Sequence, residues 1–286
     1  MFRAIFLCFV LFTASTAHAQ SLAPPGSRME TIKNSKTVRI AYRTDARPFS
    51  FIGPKNDVTG FTVDICKLVT KSLAQQLGVG DLKIEWVPVT VQTRFSAVAS
   101  GKADMECGSS TVTLGRMKEV DFSSFVFVES TGLVVRKASN IGSFGDLGGK
   151  KIAVISGTTN EQALARQIKL RNVNATVVPV KDRESGVMAV ESGTVDSFAS
   201  DKLLLVGAYM KNPEALMLLP DDLSVEPYAI VLPRGDWAFR LAVNTALAEI
   251  YRSGEIAVIF RAWFDQIGLR ISPAMVLMYG LGALSE

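Results

Sequence analysis

The chain has 286 residues, 48% of them hydrophobic and 20% charged, enough apolar side chain for a sizeable core and unlike a disordered or low-complexity segment. Its length suits one large domain or two of moderate size. The formal charge of +4 comes from 31 lysines and arginines scattered among 27 acids, so there is no basic block and no nucleic-acid partner is expected.

Arg3, an apolar run over residues 4–12 and the small-x-small site Ala17-His18-Ala19 read as a secretory signal peptide covering residues 1–19. The run is shorter than the roughly 20 residues a membrane anchor needs. Cleavage would remove His18, the only histidine. The mature chain then has no Ser-His-Asp or Cys-His chemistry and no His-ligated metal, and we expect no catalytic residue, metal or cofactor. Cys66 and Cys107 remain, and export permits a disulfide between them without requiring one.

After a lead over residues 20–27, a strand is expected at 38–42, and Pro48, Gly53, Pro54 and Gly60 punctuate a loop or hairpin. From Phe61 the apolar positions Ile65, Leu68, Val69, Leu73 and Leu77 recur on one helical face, and the helix stops at Gly78. Cys66 lies on that face and reads as a buried, inert thiol. A strand at 83–87, a helix at 93–100 and a strand at 103–107 follow. The order then returns, with strands at 150–155, 176–179 and 195–199 alternating with helices at 159–170 and 183–192. Such alternation marks a sheet with parallel strands. Two helices, 236–253 and 255–264, flank Gly254, and the apolar tail at 271–286 is too short to span a bilayer.

Residues 97–104 and 189–196 share A-V-x-S-G-x-x-D, and five residues past the common aspartate stand Ser109 and Asp201. Both sit where strands are expected to end. Ligands of open α/β sheets lie outside the carboxyl ends of strands, so two such units facing each other would aim both residues into one cleft.

The stretches GFTVDICKLV, PVTVQTRF, ECGSSTVTLGRMKEVDFS, SGTTNE and ESGTVDSFASD resemble the periplasmic solute-binding proteins of polar amino-acid ABC transporters. The Thr111–Ser123 pattern is fairly specific for the family, and Q-x-R followed by ECGS points to its glutamate/aspartate-binding branch. The resemblance covers essentially the whole mature chain. It implies an α/β, periplasmic binding protein-like fold, with two αβ lobes joined by a two-segment hinge and a ligand cleft between them. Lobe 1 would span residues 30–130 and 228–286, and lobe 2 residues 131–227, with hinges at 129–131 and 226–228.

The resemblance also implies roles. Arg116 would take a ligand α-carboxylate with Thr111 and Thr159, while Ser109 and Asp201 would take the α-ammonium; guanidinium suits a carboxylate because it donates in pairs and stays charged. Thr158, Thr159 and Glu161 also read as a helix start, T-x-x-E being a capping box. An ordinary N-cap for the Leu-rich helix after it is the alternative for Asp201, and the motif favours ligand contact. Arg43 and Arg94 match the branch's positions for a second carboxylate. Two departures stand out: Val91 replaces a serine, and Arg183 replaces a histidine, pairing either with ligand or, in solvent, with Asp182 or Glu184. Four arginines against Asp201 alone leave a surplus of three positive charges.

The expected function is delivery of an acidic L-amino acid to the permease of an inner-membrane ABC importer by a monomeric periplasmic protein. An enzyme of the same fold, dehydratase-like, would need a carboxylic acid against a leaving group, for which Glu106 and Glu184 are the candidates. A sensory protein binding a dicarboxylate is the other alternative.

Overall fold

A computed structural model describes residues 23–285; the expected signal peptide lies outside the described residues. The elements run α1 (Arg28–Ser35), β1 (Thr37–Arg43), β2 (Asp45–Ala46), β3 (Ser50–Ile52), β4 (Val58–Thr59), α2 (Phe61–Leu77), β5 (Lys83–Val89), α3 (Arg94–Ala99), β6 (Met105–Glu106) and β7 (Val120–Glu129). They continue with β8 (Thr131–Arg136), β9 (Lys151–Ile155), α4 (Thr159–Leu170), β10 (Thr176–Val180), α5 (Arg183–Glu191), β11 (Ser197–Asp201), α6 (Lys202–Lys211) and β12 (Leu216–Leu218). The chain closes with β13 (Glu226–Pro233), α7 (Trp237–Arg252), α8 (Glu255–Phe264) and α9 (Pro273–Gly282).

Two five-stranded sheets share one plan, in the orders β5-β1-β6-β13-β7 and β10-β9-β11-β8-β12. In each, the first three strands are parallel and the fourth is antiparallel to both neighbours. The chain passes from the first sheet to the second at Ser130, between β7 and β8, and returns between β12 and β13. Each antiparallel fourth strand is therefore the first strand after a crossing.

The repeated sequence motif does the same work in both sheets. Gly101 and Gly193 stop α3 and α5 with φ of 76° and 77°, conformations open to glycine. Ala103 and Val195 then donate their amides back to the helix carbonyls of Ala97 and Ala189, at 2.9 and 3.1 Å. Asp104 and Asp196 each accept, at 2.8 Å, a backbone amide of the neighbouring parallel strand, Arg39 within β1 and Lys151 at the start of β9. The turn uses up residues 193–196, which is why β11 starts at Ser197 rather than at 195 as expected. β6 is shorter than expected for a related reason, since the chain turns at Cys107–Gly108 toward the site.

The expected loop or hairpin after β1 forms a small sheet in the order β2-β3-β4. Against it packs an aromatic cluster in which Phe49 lies 4.9 Å from Phe127 and 5.2 Å from Tyr228, centroid to centroid, and Phe61 lies 5.2 Å from Phe264. This cluster belongs to the larger core, between the first sheet and α2, α7 and α8. The second sheet has its own core on each face. The apolar tail forms α9, capped by Ser272; its Met275 and Tyr279 are buried, and the Tyr279 hydroxyl donates to Val126 O at 3.0 Å.

Cys66 is not the inert thiol expected from its helical face. It forms a disulfide with Cys107, the residue after β6, and the fold sets the two Cα atoms 6.4 Å apart, within bridging range. The bond pins the start of the Cys107–Thr111 segment that enters the site.

Candidate ligand-binding site

The carboxyl ends of the parallel strands of both sheets converge on one small polar cavity, with about 20 Å³ open to water. The first sheet's half supplies Arg43, Val91, Arg94, Ser109 and Thr111; the second supplies Ile155, Thr158, Thr159, Asn160, Arg183, Ser200 and Asp201. Seven of the eight residues expected from sequence thus meet around one space. The eighth, Arg116, stands behind Thr111: its Nη1 donates to Thr111 O at 2.7 Å and its guanidinium lies 4.9 Å from the Phe95 ring centroid.

Arg94 is buried and opens α3. One Nη1 hydrogen donates to Ser109 O at 3.2 Å, while Nε has no hydrogen-bond partner among the described residues. Burial, then the neighbouring Arg116 charge, pushes Arg94 down to about 9. It still carries its charge at neutral pH. Beneath it, Glu106 is fully buried, and its Oε2 accepts from Ser110 Oγ at 2.7 Å; burial raises this carboxyl and Arg94 opposes the rise. Gly108 is needed here, since a Cβ at that position would lie 2.1 Å from Glu106 Oε1.

Arg43, only 1% exposed, donates Nε and Nη2 to Asp45 Oδ1 at 3.0 and 2.6 Å. From the other half, Arg183 Nη1 donates to the Asp45 backbone carbonyl, and Asp45 Oδ2 lies 3.6 Å from the same nitrogen. Arg183 therefore does not pair with Asp182 or Glu184 in solvent: Asp182 is engaged in capping α5 through the Ser185 amide at 2.8 Å. Arg183 Nε is buried without a partner among the described residues, and burial lowers the pKa of this guanidinium. The surplus of three positive charges expected from sequence is also revised, because Asp45 and Glu106 stand among the arginines.

Thr158 caps α4, its Oγ1 accepting from Glu161 N at 3.2 Å and donating to Ile155 O at 2.6 Å. Glu161 reaches the amide of Gly157 at 2.8 Å, one residue earlier than a reciprocal capping box requires. Thr159 Oγ1 is left free of the cap and lies 3.4 Å from Thr111 Oγ1 across the cavity. Asp201 precedes α6 but makes no side-chain cap bond. Instead Oδ1 accepts from Asn160 Nδ2 at 3.2 Å, and Asn160 also donates to Thr131 Oγ1 at 2.8 Å. Burial and then the Glu226 charge raise the Asp201 carboxyl, the condition of an anion short of a cation. Tyr228, fully buried beside it, has its hydroxyl held protonated by burial and by Asp201.

Sequence reasoning missed Asp45, Asn160 and Tyr228 as parts of this site. Asp45 stands two residues after Arg43 and Asn160 lies within SGTTNE, so the signal for each was proximity to a chosen residue; Tyr228 comes from a distant strand and had no local signal.

Residues 38–266 match the family model of bacterial extracellular solute-binding proteins, family 3. The chain belongs to that family. It is similar to an L-glutamate/L-aspartate-binding protein of Pseudomonas aeruginosa, with 33% identity over 241 residues, 83% of this chain and 80% of the relative. Among solved structures it is similar to an ancestral arginine-binding protein bound to arginine (TM-score 0.71, 29% identity, 80% of this chain and 98% of that one). An ancestral amino acid-binding protein described as a precursor of cyclohexadienyl dehydratase superposes with TM-score 0.72 and 29% identity, over 83% and 100% of the two chains. This family 3 chain has the periplasmic binding protein-like fold, two αβ lobes with the cavity between them.

Proposed function

We propose that this family 3 protein is the binding component of an amino-acid ABC importer, that it takes an acidic L-amino acid, glutamate or aspartate, and that it delivers it to an inner-membrane permease. One observation carries the reading: two buried guanidinium Nε–H groups, on Arg94 and Arg183, have no acceptor among the described residues, and they share a cavity with the under-compensated carboxylate of Asp201. Buried donors and charges left this way are costly unless a ligand supplies their partners. A zwitterion bearing a second carboxylate supplies them all. Asp45, Glu106 and Glu226 offset part of the arginine charge, and the ligand's second carboxylate meets the donors that the protein leaves unpaired.

In this reading Asp201 and Ser109 hold the α-ammonium, Arg116, Thr111 and Thr159 the α-carboxylate, and Arg43, Arg94 and Arg183 the side-chain carboxylate. Arg116 would turn from the Thr111 carbonyl to do so. Lobe 1 comprises residues 30–130 and 228–286 and lobe 2 residues 131–227, and the lobes swing about residues 129–131 and 226–228. The protein works as a periplasmic monomer after losing residues 1–19; no helix among the described residues is long and apolar enough to cross a membrane. The name of the Pseudomonas aeruginosa relative supports the acidic substrate. The dehydratase-like alternative has weaker support, since Glu106 is buried outside the cavity lining and Glu184 is exposed on an outer groove.

Titration calorimetry on ligand-stripped protein tests the proposal. Glutamate or aspartate should bind at least about a hundredfold tighter than glutamine, asparagine or arginine. Comparable affinity for an amide, or tighter binding of arginine, would remove the charge argument, and mass-spectrometric detection of a product after prolonged incubation would favour the enzyme.

A further inference from the structure

We infer that Asp45 is a cross-cleft clasp that sets how slowly the site releases its ligand. The inference rests on the reading of the cavity as a binding site between two moving lobes. Asp45 opens β2, next to the first sheet, and it holds a guanidinium from each side: Arg43 through two bonds to Oδ1, and Arg183 of α5 through its backbone carbonyl with Oδ2 at 3.6 Å.

The position of the contact matters as much as its chemistry. Arg183 lines both the cavity and an outer groove, and Asp45 lines only the groove, so the pair forms the wall between them. Lobe 2 cannot swing away at this edge without parting Arg183 from Asp45. The contact therefore exists only in the closed state, and an interaction confined to one state shifts the equilibrium toward it by its full free energy. It also holds the fork of Arg183, engaging Nη1 with Asp45 while Nε stays buried without a partner among the described residues. Asp45 thereby positions two ligand-facing arginines without itself lining the cavity. Its side chain is 36% exposed and that of Arg183 11%, so water can replace the contact once the lobes part.

Release of glutamate or aspartate from Asp45→Ala and from the milder Asp45→Asn should be followed by stopped-flow fluorescence. Asp45→Ala keeps the backbone carbonyl that Arg183 meets and removes the Oδ2 contact and the brace on Arg43, so we expect release about threefold to fivefold faster, less change in Asp45→Asn, and association within about twofold of the parent, the pattern of a contact made after encounter. In an Arg183→Ala background the Asp45 substitution should lose most of its effect. Unchanged release in both variants, or an equal acceleration with and without Arg183, overturns the clasp. If the parent chain binds no acidic amino acid, the proposed function fails, and the clasp is then decided by denaturant unfolding alone. In that cycle Asp45→Ala and Arg183→Ala should couple by at least about twofold in the unfolding constant, and independent effects overturn it.

Discussion

Asp201→Asn should move stability and binding in opposite directions. Asp201 is 7% exposed and accepts from Asn160 Nδ2 at 3.2 Å, and burial, then Glu226, disfavours its charge more than Arg183, Asn160 and Tyr228 favour it. Replacing it with a neutral isostere removes a buried charge that the protein itself only partly compensates, so the free protein should unfold at higher denaturant concentration. The ligand ammonium meanwhile loses its counter-charge. Truncating one partner of a buried, hydrogen-bonded charge pair costs about 2–5 kcal/mol, or roughly thirtyfold to several thousandfold in Kd. Calorimetry gives the affinity and urea unfolding the stability. The sign with pH is also fixed: binding needs the ionised carboxylate, so affinity in the parent should fall as the solution is acidified through the raised Asp201 pKa, and Asp201→Asn should lose that component. A variant that is destabilised yet binds within a few-fold of the parent would refute the reasoning, because Asp201 would then be a structural anchor.

Arg94→Gln should shrink the preference for glutamate over glutamine from at least about a hundredfold to under about tenfold, because its Nε is the buried donor waiting for a carboxylate; competition calorimetry reads the ratio, and an unchanged ratio would reassign the side-chain subsite. Burial raises Glu129 to about 8, and it lies directly across from Glu226 in the β7–β13 ladder. A carboxyl near 4.3 when unfolded and near 8 when folded binds more protons in the folded state, so stability should fall by up to about 4 kcal/mol between pH 4.5 and 8. Urea midpoints across that range should flatten in Glu129→Gln. The Cys66–Cys107 bond joins residues 41 apart in sequence, for which loop-closure entropy gives about 4 kcal/mol at most; reduction, or the double substitution to alanine, should lower the unfolding free energy by about 2–4 kcal/mol, and an unmoved midpoint would exclude that role.

The features legible in the order of the residues are local, or repeated. The apolar spacing from Phe61 and the stop at Gly78 specify α2, with Gly78 in the left-handed conformation at φ 62°, and the T-x-x-E run specifies the start of α4 at Thr159. The paired A-V-x-S-G-x-x-D motifs announced two units of one plan and placed Ser109 and Asp201 just past strand ends. These features depend on backbone conformation and nearest neighbours, which a few adjacent residues control. The remaining features rest on long-range packing. Whether Cys66 bonds to Cys107 depends on how near the fold brings α2 to the residue after β6, and a periodic face reports only that a side chain is buried. Whether Arg183 meets solvent, ligand or Asp45 depends on how closely the two lobes approach, a distance that no local pattern encodes. The charge of the cavity follows from the same source: Asp45 and Glu106 lie beside the arginines because the chain folds them there, and the balance between long-range charges is set by separation and burial, neither of which is written in the order of the residues.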